Sequence, residues 1–258
     1  MTGRIHPTAI VDPDARLAAD VEVAPYAVIG PGVEIGPGTL VASHAVIERD
    51  TTVGTRCRIG VGAVLGGDPQ DLKYQGEPTR LEVGDDTTVR EYVTAHRGTA
   101  ATGHTVIGPR CYLMAYVHVG HDAILQEGVV LANGVQLGGH VRVGTHALIG
   151  GGTPVHQFVR IGDWAFVGGG SRVPQDVPPF SRAAGNPLRL YGINGVGLAR
   201  AGFDPEVQRA LRRAYRLLFN SSLRVSEAID FIRQDGPRIP QVRQLVDFVA
   251  ASERGVPA

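Results

Sequence analysis

The chain predicts an all-β fold, a parallel β-helix of hexapeptide repeats followed by a small C-terminal α-helical domain, on three observations. First, stepping by six from Ile5 through Val11, Leu17, Val23 and Ile29 to Val173 meets 29 positions, and only Asp71 and Glu77 among them are not apolar. An amphipathic helix repeats its apolar face every three or four residues, whereas a hexad repeat belongs to a β-solenoid. Second, the residue two before each aliphatic is small or β-branched, as at Ala27, Val33, Thr39, Ala45, Thr51, Cys57, Ala63, Thr105, Cys111 and Val117. Two inward side chains flanking one outward side chain is the period of a short strand. Third, beyond Val173 the six-residue pattern gives way to helical spacing.

Residues 1–65 read as uninterrupted coils, with HPTAI at the start. Gly often follows the aliphatic, as at Gly30, Gly36, Gly54 and Gly60, and is expected to form the tight corners. If three hexads close one triangular coil, residues 18 apart stack about 4.8 Å apart and the 29 hexads make about ten coils. Cys57 and Cys111 then share a column three coils apart, about 14 Å, too far for a disulfide. Both read as core fillers in a reducing cytoplasm.

Residues 66–82, GGDPQDLKYQGEPTRLE, break the pattern and form a loop carrying Asp68, Asp71, Lys73 and Glu77. Loops thrown from a rigid scaffold often carry function. RGTAATGHT, at 97–105, is a second loop or a loosened corner. The coils then resume to 177, and here the histidines gather. His118, His121, His140 and His156 occupy neither inward slot, so they should point outward. Counting by 18 places His121 with Gly139 and Gln157, and Asp122 with His140, in one outward patch over three coils. A convex edge makes a cleft only when a second chain meets it, which predicts a symmetric oligomer, a trimer if the prism edges meet around an axis.

PQDVPPF is expected to stop the coil, making residues 1–177 the repeat domain and 178–258 a connector with helices. Asp204 is a good N-cap with Pro205 at the first helical position. Further helices are expected over 226–234 and 240–251. The helix that begins at Asp204 and Pro205 bears Arg209, Arg212, Arg213 and Arg216, a basic face suited to an acidic protein or a phosphate.

Composition excludes other classes. Formal net charge is zero, which gives no footprint for nucleic acid. No apolar run is long enough for a membrane span. MTGRIHPTAIVD lacks the charged and apolar regions of a signal peptide, so the cytoplasm is the expected location.

These residues carry a resemblance. HPTAIV, VEIGPGT, QDLKYQGEPTR, HRGT, VGHD, LANGVQLGGHV, IGGGTPVHQF and QDVPPF, in this order and over essentially the whole chain, resemble the UDP-N-acetylglucosamine O-acyltransferases that begin lipid A biosynthesis. The resemblance implies a left-handed coil. It also implies transfer of an R-3-hydroxyacyl chain from acyl carrier protein to the 3-hydroxyl of UDP-N-acetylglucosamine, with no cofactor and no metal. A thioester is already activated, so the enzyme must deprotonate an alcohol and stabilise an oxyanion. His121 matches the family's general base, Asp122 the group that orients it, and Gly139 the amide that binds the oxyanion. Asp71, Lys73, His118 and Gln157 match contacts to sugar or diphosphate, and His140 and His156 match cleft-lining positions. Asn194 and Arg200 match the uridine and phosphate end. There the family commonly has an acidic residue and a second Arg where this chain has Val196 and Ala201, which shifts the expected affinity towards the loop. Gly169 matches the position that limits acyl length and leaves the groove open to a longer chain, with Trp164 and Phe166 nearby.

Two alternatives share these features. An N-acyltransferase using a 3-amino UDP-sugar would need the same base and cleft. A trimeric zinc hydratase of the γ-carbonic-anhydrase kind would use three outward histidines, for which His96, His118 and His121 supply the residue type. Its paired ligands lie five apart, however, and 118 and 121 lie three apart. A non-catalytic solenoid accounts for the coils but not for HxxHD, GGH, HQF and the loop together.

Overall fold

The computed structural model describes residues 5–257; residues 1–4 and 258, the outer ends of the two expected domains, lie outside the described residues. The chain winds a left-handed parallel β-helix with three flat faces built from very short strands. The first face runs from Ile10–Val11 to Pro154–Val155, the second from Arg16–Leu17 to Arg160–Ile161, and the third from Glu22–Val23 to Phe166–Val167. The aliphatic of each hexad and the small residue two before it fill the axis, as Ala27 and Ile29 or Val129 and Leu131 do. Each buried aliphatic contributes roughly 1.5–3 kcal/mol, so stability accumulates coil by coil.

The corners differ from expectation. The residue in the left-handed region recurs every six positions, as at Tyr26, Gly32, Gly38, His44, Asp50, Arg56 and Gly62, and often carries a side chain. The glycine after the aliphatic has a different cause. A Cβ at Gly60 would lie 2.6 Å from the carbonyl carbon of Arg90 on the next coil. Close approach of stacked coils demands glycine there, and the sharp turn comes two residues later.

The coil count also changes. Ile29 pairs with Ile47, 18 residues on, but Ile59 pairs with Val89, 30 on, and Val89 with Leu113, 24 on. Two segments therefore leave the stack. Both insertions are multiples of six, so the hexad frame survives in the sequence while the number of coils falls below ten. Each of the first two faces has eight strands. Cys57 and Cys111 are consequently two coils apart, with the Thr87 coil between them, and both are buried free thiols.

PQDVPPF does not stop the coil. Val155 bridges Val173, Ile161 bridges Val177, and Phe166–Val167 pairs with Arg182–Ala183. The connector is an antiparallel hairpin, Ser181–Ala184 with Arg189–Ile193, that extends the third face. A short helix that periodicity did not reveal, α1 (Gly195–Arg200), precedes α2 (Pro205–Phe219), α3 (Val225–Asp235) and α4 (Pro240–Ala250). Asp204 caps α2 as expected, accepting from the Glu206 amide at 2.6 Å. Leu211, Leu218, Ile232, Leu245 and Val249 form a second core with Phe180. Arg160 ties the helices to the coil: it lies 4.6 Å over the Phe248 ring and donates to Asp176 and to the Ala251 carbonyl.

Both inserted segments leave from the same place. One follows the first-face strand Val64–Gly67 and returns at the second-face strand Arg80–Val83; the other follows Thr94–His96 and returns at His104–Ile107. The edge between the first and second faces is thus the only one of the three that carries insertions among the described residues.

Candidate active site

Three successive corners of that edge, one coil each, supply the clustered residues. His121 and Asp122 come from the first, Gly139 and His140 from the second, and Gln157 and Phe158 from the third. The backbone fixes the stacking: the His140 amide donates to the His121 carbonyl at 2.9 Å, and the Phe158 amide to the Gly139 carbonyl at 3.0 Å. The predicted columns are present.

Asp122 departs from the predicted outward patch, because its side chain is fully buried. The corner holds Asp122 at φ 60°, and the second insertion lies over it. The Thr99 amide donates to Asp122 Oδ1 at 3.0 Å, the Thr99 hydroxyl donates to Oδ2 at 2.8 Å, and the Thr102 hydroxyl also donates to Oδ1. The Asp122 amide donates to Thr105 Oγ1 at 2.8 Å. Burial by itself would raise the Asp122 pKa, yet these donors and His121 hold it below the usual carboxylate range. It is therefore an anion at neutral pH.

An ionised Asp122 dictates the state of its neighbour. His121 Nδ1 lies 2.7 Å from Asp122 Oδ2, so Nδ1 is the nitrogen that donates to the carboxylate and Nε2 is the one left for a reaction partner. The ring rests on Gly139: a Cβ there would lie 2.5 Å from His121 Cε1 and 2.6 Å from Nε2. No side chain fits at 139 without moving the imidazole.

His140 completes the group, edge-on to His121 with centroids 5.2 Å apart and stacked on Phe158 at 4.5 Å. Burial lowers its pKa, opposed by the carboxylates of Asp122 and Asp71. His118 lies on the first face with Nδ1 2.9 Å from Thr94 Oγ1. Burial, and then the neighbouring His96 and His121, lower its pKa to about 4, which keeps it neutral. His156 is exposed and meets Arg254 of the C-terminal segment at 3.2 Å, and Gln157 is exposed beside it.

On the first insertion, Asp71 Oδ1 accepts from the Lys73 amide at 3.0 Å, and the intervening Leu72 is fully exposed. The remaining predicted residues lie elsewhere on this chain. Asn194 caps α1 and donates to the Trp164 carbonyl at the edge between the second and third faces, and Arg200 ends α1, exposed. Val196 is exposed and Ala201 is the C-cap of that helix. Gly169 lies at the edge between the third and first faces, over the Gly151 backbone. Trp164 packs against His146 and Phe203, at the edge between the second and third faces rather than at that of Gly169.

His96, His118 and His121 do not converge as a zinc set. His96 Nδ1 meets the Asp68 carbonyl at 2.6 Å, and His118 is bonded to Thr94. Among the described residues, His121, Asp122 and His140 bring their donor atoms within 4.8 Å. The carboxylate's lone pairs in that set are already taken by Thr99, Thr102 and His121, so the arrangement fits a hydrogen-bonded dyad better than a metal cage.

Thr99, Thr102 and the buried Arg97 were given no role from the sequence, and Thr105 was read only as an inward filler of the repeat. Their signs were the HRGT motif and the irregularity at 97–105, whose length preserves the hexad frame.

Two family profiles match the chain: "Udp N-acetylglucosamine O-acyltransferase; Domain 2" over residues 176–257, and "Bacterial transferase hexapeptide (six repeats)" over 104–139. The chain is 46% identical to an acyl-[acyl-carrier-protein]–UDP-N-acetylglucosamine O-acyltransferase of Thermodesulfovibrio yellowstonii over 253 residues, 98% of each chain. It is 50% identical to one of Alkalilimnicola ehrlichii over 254 residues, again 98% of each. Its fold superposes on a solved UDP-N-acetylglucosamine acyltransferase from Bacteroides fragilis with a TM-score of 0.97, 37% identity and coverage of 99% and 100%.

Proposed function

The chain belongs to the acyl-[acyl-carrier-protein]–UDP-N-acetylglucosamine O-acyltransferases, and we propose that it moves an R-3-hydroxyacyl chain from acyl carrier protein to the 3-hydroxyl of UDP-N-acetylglucosamine with His121 as general base. The observation that carries the mechanism is the buried, anionic Asp122 held on His121 Nδ1. His121 Nε2 takes the proton of the sugar hydroxyl as its oxygen attacks the thioester carbon. The Gly139 amide, which donates to no backbone acceptor among the described residues, receives the oxyanion. Collapse breaks the carbon–sulfur bond, and the imidazolium returns the proton to the departing carrier thiolate. Asp122 stays ionised and stabilises the imidazolium.

Asp71 and Lys73 hold the sugar and diphosphate, with His118 and Gln157 beside them, and His140 and His156 wall the cleft. Asn194 and Arg200 take the nucleotide end, and Gly169 leaves room for a long acyl chain. One prism turns its three edges away from one another, so these residues share a cleft only where copies meet. A ring of three chains makes three such clefts, and the fully exposed Leu72 at the loop tip suits burial in such a contact. The exposed Arg209, Arg212, Arg213 and Arg216 of α2 receive the acidic carrier. No helix among the described residues is long and apolar enough to cross a membrane, and the enzyme works in the cytoplasm on diffusible substrates.

The test offers purified protein UDP-N-acetylglucosamine with a panel of 3-hydroxyacyl carrier proteins. Ester product supports the reading, and the preferred donor reports the groove at Gly169. No product from any donor, with protein sedimenting at three times the 27.3 kDa chain mass, overturns it. Charge reversal at Arg212 and Arg213 should raise the KM for the carrier and spare that for the sugar nucleotide.

A further inference from the structure

The second insertion has contacts on two sides, and the proposed chemistry draws on only one of them. On one side is Arg97, a side chain only 1% exposed and among the largest fully buried ones. Its guanidinium reaches 23 to 31 residues back to the first insertion, donating to the Gly66 carbonyl, to the Asp68 carboxylate and, at 3.2 Å, to the Tyr74 hydroxyl. Its amide donates to the Gly67 carbonyl at 3.0 Å. These contacts clasp both sides of the Asp71–Lys73 turn, because Asp68 precedes it and Tyr74 follows. The Tyr74 hydroxyl in turn donates to the Glu77 carbonyl at 3.0 Å. On the other side, two residues along, Thr99 and Thr102 hold Asp122 as described.

A guanidinium is a costly way to fill space. Its Nε is buried without a partner among the described residues, and an apolar side chain of similar volume would stabilise the core at least as well. What the fork supplies is geometry, since three acceptors on one loop are fixed by a single rigid plane. Glycine at 98 lets the chain pass between the two tasks: a Cβ there would lie 2.3 Å from the His104 amide nitrogen. We infer that residues 97–102 form a two-sided brace, in which Arg97 positions the loop bearing Asp71 and Lys73 while Thr99 and Thr102 position the Asp122–His121 dyad, so that sugar-nucleotide binding and proton abstraction are held in one register. Arg97, Thr99 and Thr102 are positioning residues; none is required to touch substrate. The inference rests on the acyl transfer proposed above.

The two halves give separable readouts in the full-length protein, with wild-type transfer as the control. Arg97→Lys keeps the charge but loses the fork, and should raise the KM for UDP-N-acetylglucosamine about tenfold while kcat and the KM for the acyl carrier stay within about threefold. Thr99→Val should lower kcat about tenfold with the sugar KM within about threefold, and Thr99→Ser should restore kcat, because the hydroxyl rather than the methyl group is needed. The double variant Arg97→Lys/Thr99→Val should lose a factor in kcat/KM that differs from the product of the single losses, as expected of sites coupled through one segment. Asp68→Asn probes the same clasp from an exposed loop position should Arg97→Lys fail to fold, and it should reproduce the KM effect. The brace is overturned if Arg97→Lys or Asp68→Asn depresses kcat and both KM values alike, or if Thr99→Ser is as slow as Thr99→Val. It is equally overturned if the double variant is the simple product. Loss of transfer in the wild type would instead count against the acyl-transfer reading itself.

Discussion

Two edges of the prism are built from the same corner and dress it with different side chains. Between the first and second faces the left-handed corner residues include Asp122, His140 and Phe158; between the second and third they include Arg56, Asp86, Arg110, His146 and Trp164. At the second of these edges the side chains look after one another. Arg56 forks onto Asp86 at 2.6 and 2.7 Å, Arg110 pairs with Glu127, and His146 packs on Trp164 at 4.4 Å, leading into the helical core through Phe203. At the first edge two insertions leave the stack; the second lies over the corner and buries a carboxylate, and among the described residues His121 Nε2 has no hydrogen-bond partner. The backbone repeat is indifferent to chemistry. The proposed function is placed where the chain leaves the stack and returns.

The largest contrast is between two histidines. His121→Ala should lower transfer by about a thousandfold or more, the scale of a lost general base, without altering oligomer mass. His146→Ala, a corner histidine on the other edge, should leave transfer within about twofold. Steady-state rates of the two variants, compared with sedimentation of each, decide whether the edges are functionally distinct.

Gly139→Ala sharpens the point by adding one methyl group. With a contact near 2.5 Å the imidazole must move, and a misplacement of that order is expected to cost about a hundredfold in kcat while far-ultraviolet circular dichroism stays native. A rate near wild type would show that the ring does not rest on Gly139 during the reaction.

A smaller effect concerns pH. His118 binds its proton with a pKa of about 4 in the folded chain, below the ordinary imidazole value of about 6.5. Below pH 6.5 the unfolded chain takes up a proton that the native chain refuses. The stability contribution is present above about pH 6.5 and is lost as pH falls towards 4. Urea midpoints between pH 7 and 4, at fixed protein concentration, should fall less steeply in His118→Asn than in the wild type. Parallel slopes would remove His118 as a cause.

The smallest effect is expected at the ion-paired edge. Asp86→Asn removes an exposed pair, so transfer should stay at wild-type rate and the melting temperature should move by no more than about 2 °C. A marked loss of activity would mean that this edge also communicates with the site.

Much of this was legible in the chain. The hexads gave the coil and its core, and counting by 18 after residue 106 stacked His121 on Gly139 and Asp122 on His140. Asp204 with Pro205 began α2 as read. Other features were illegible for identifiable reasons. A six-residue pattern cannot register an insertion of six or twelve, so Cys57 was placed one coil too far from Cys111. The prolines of PQDVPPF resemble a stop, yet Val177 and Ala183 still enter the core. An in-or-out rule tracks the local strand and says nothing of an insertion lying over a corner, which is why Asp122 was expected to face solvent.

The sequence alone therefore determined the repeat, the inward column and the residue types available for base catalysis, because these depend on neighbours within one hexad. Tertiary structure decided which residues act together. Arg97 meets Asp68, Thr99 meets Asp122, and both insertions share the edge of His121, while Asn194 and Gly169 are carried to the other two edges. The physical reason is that stacking partners depend on how many residues leave the coil between them, and that number is set only when the insertions find their hydrogen bonds.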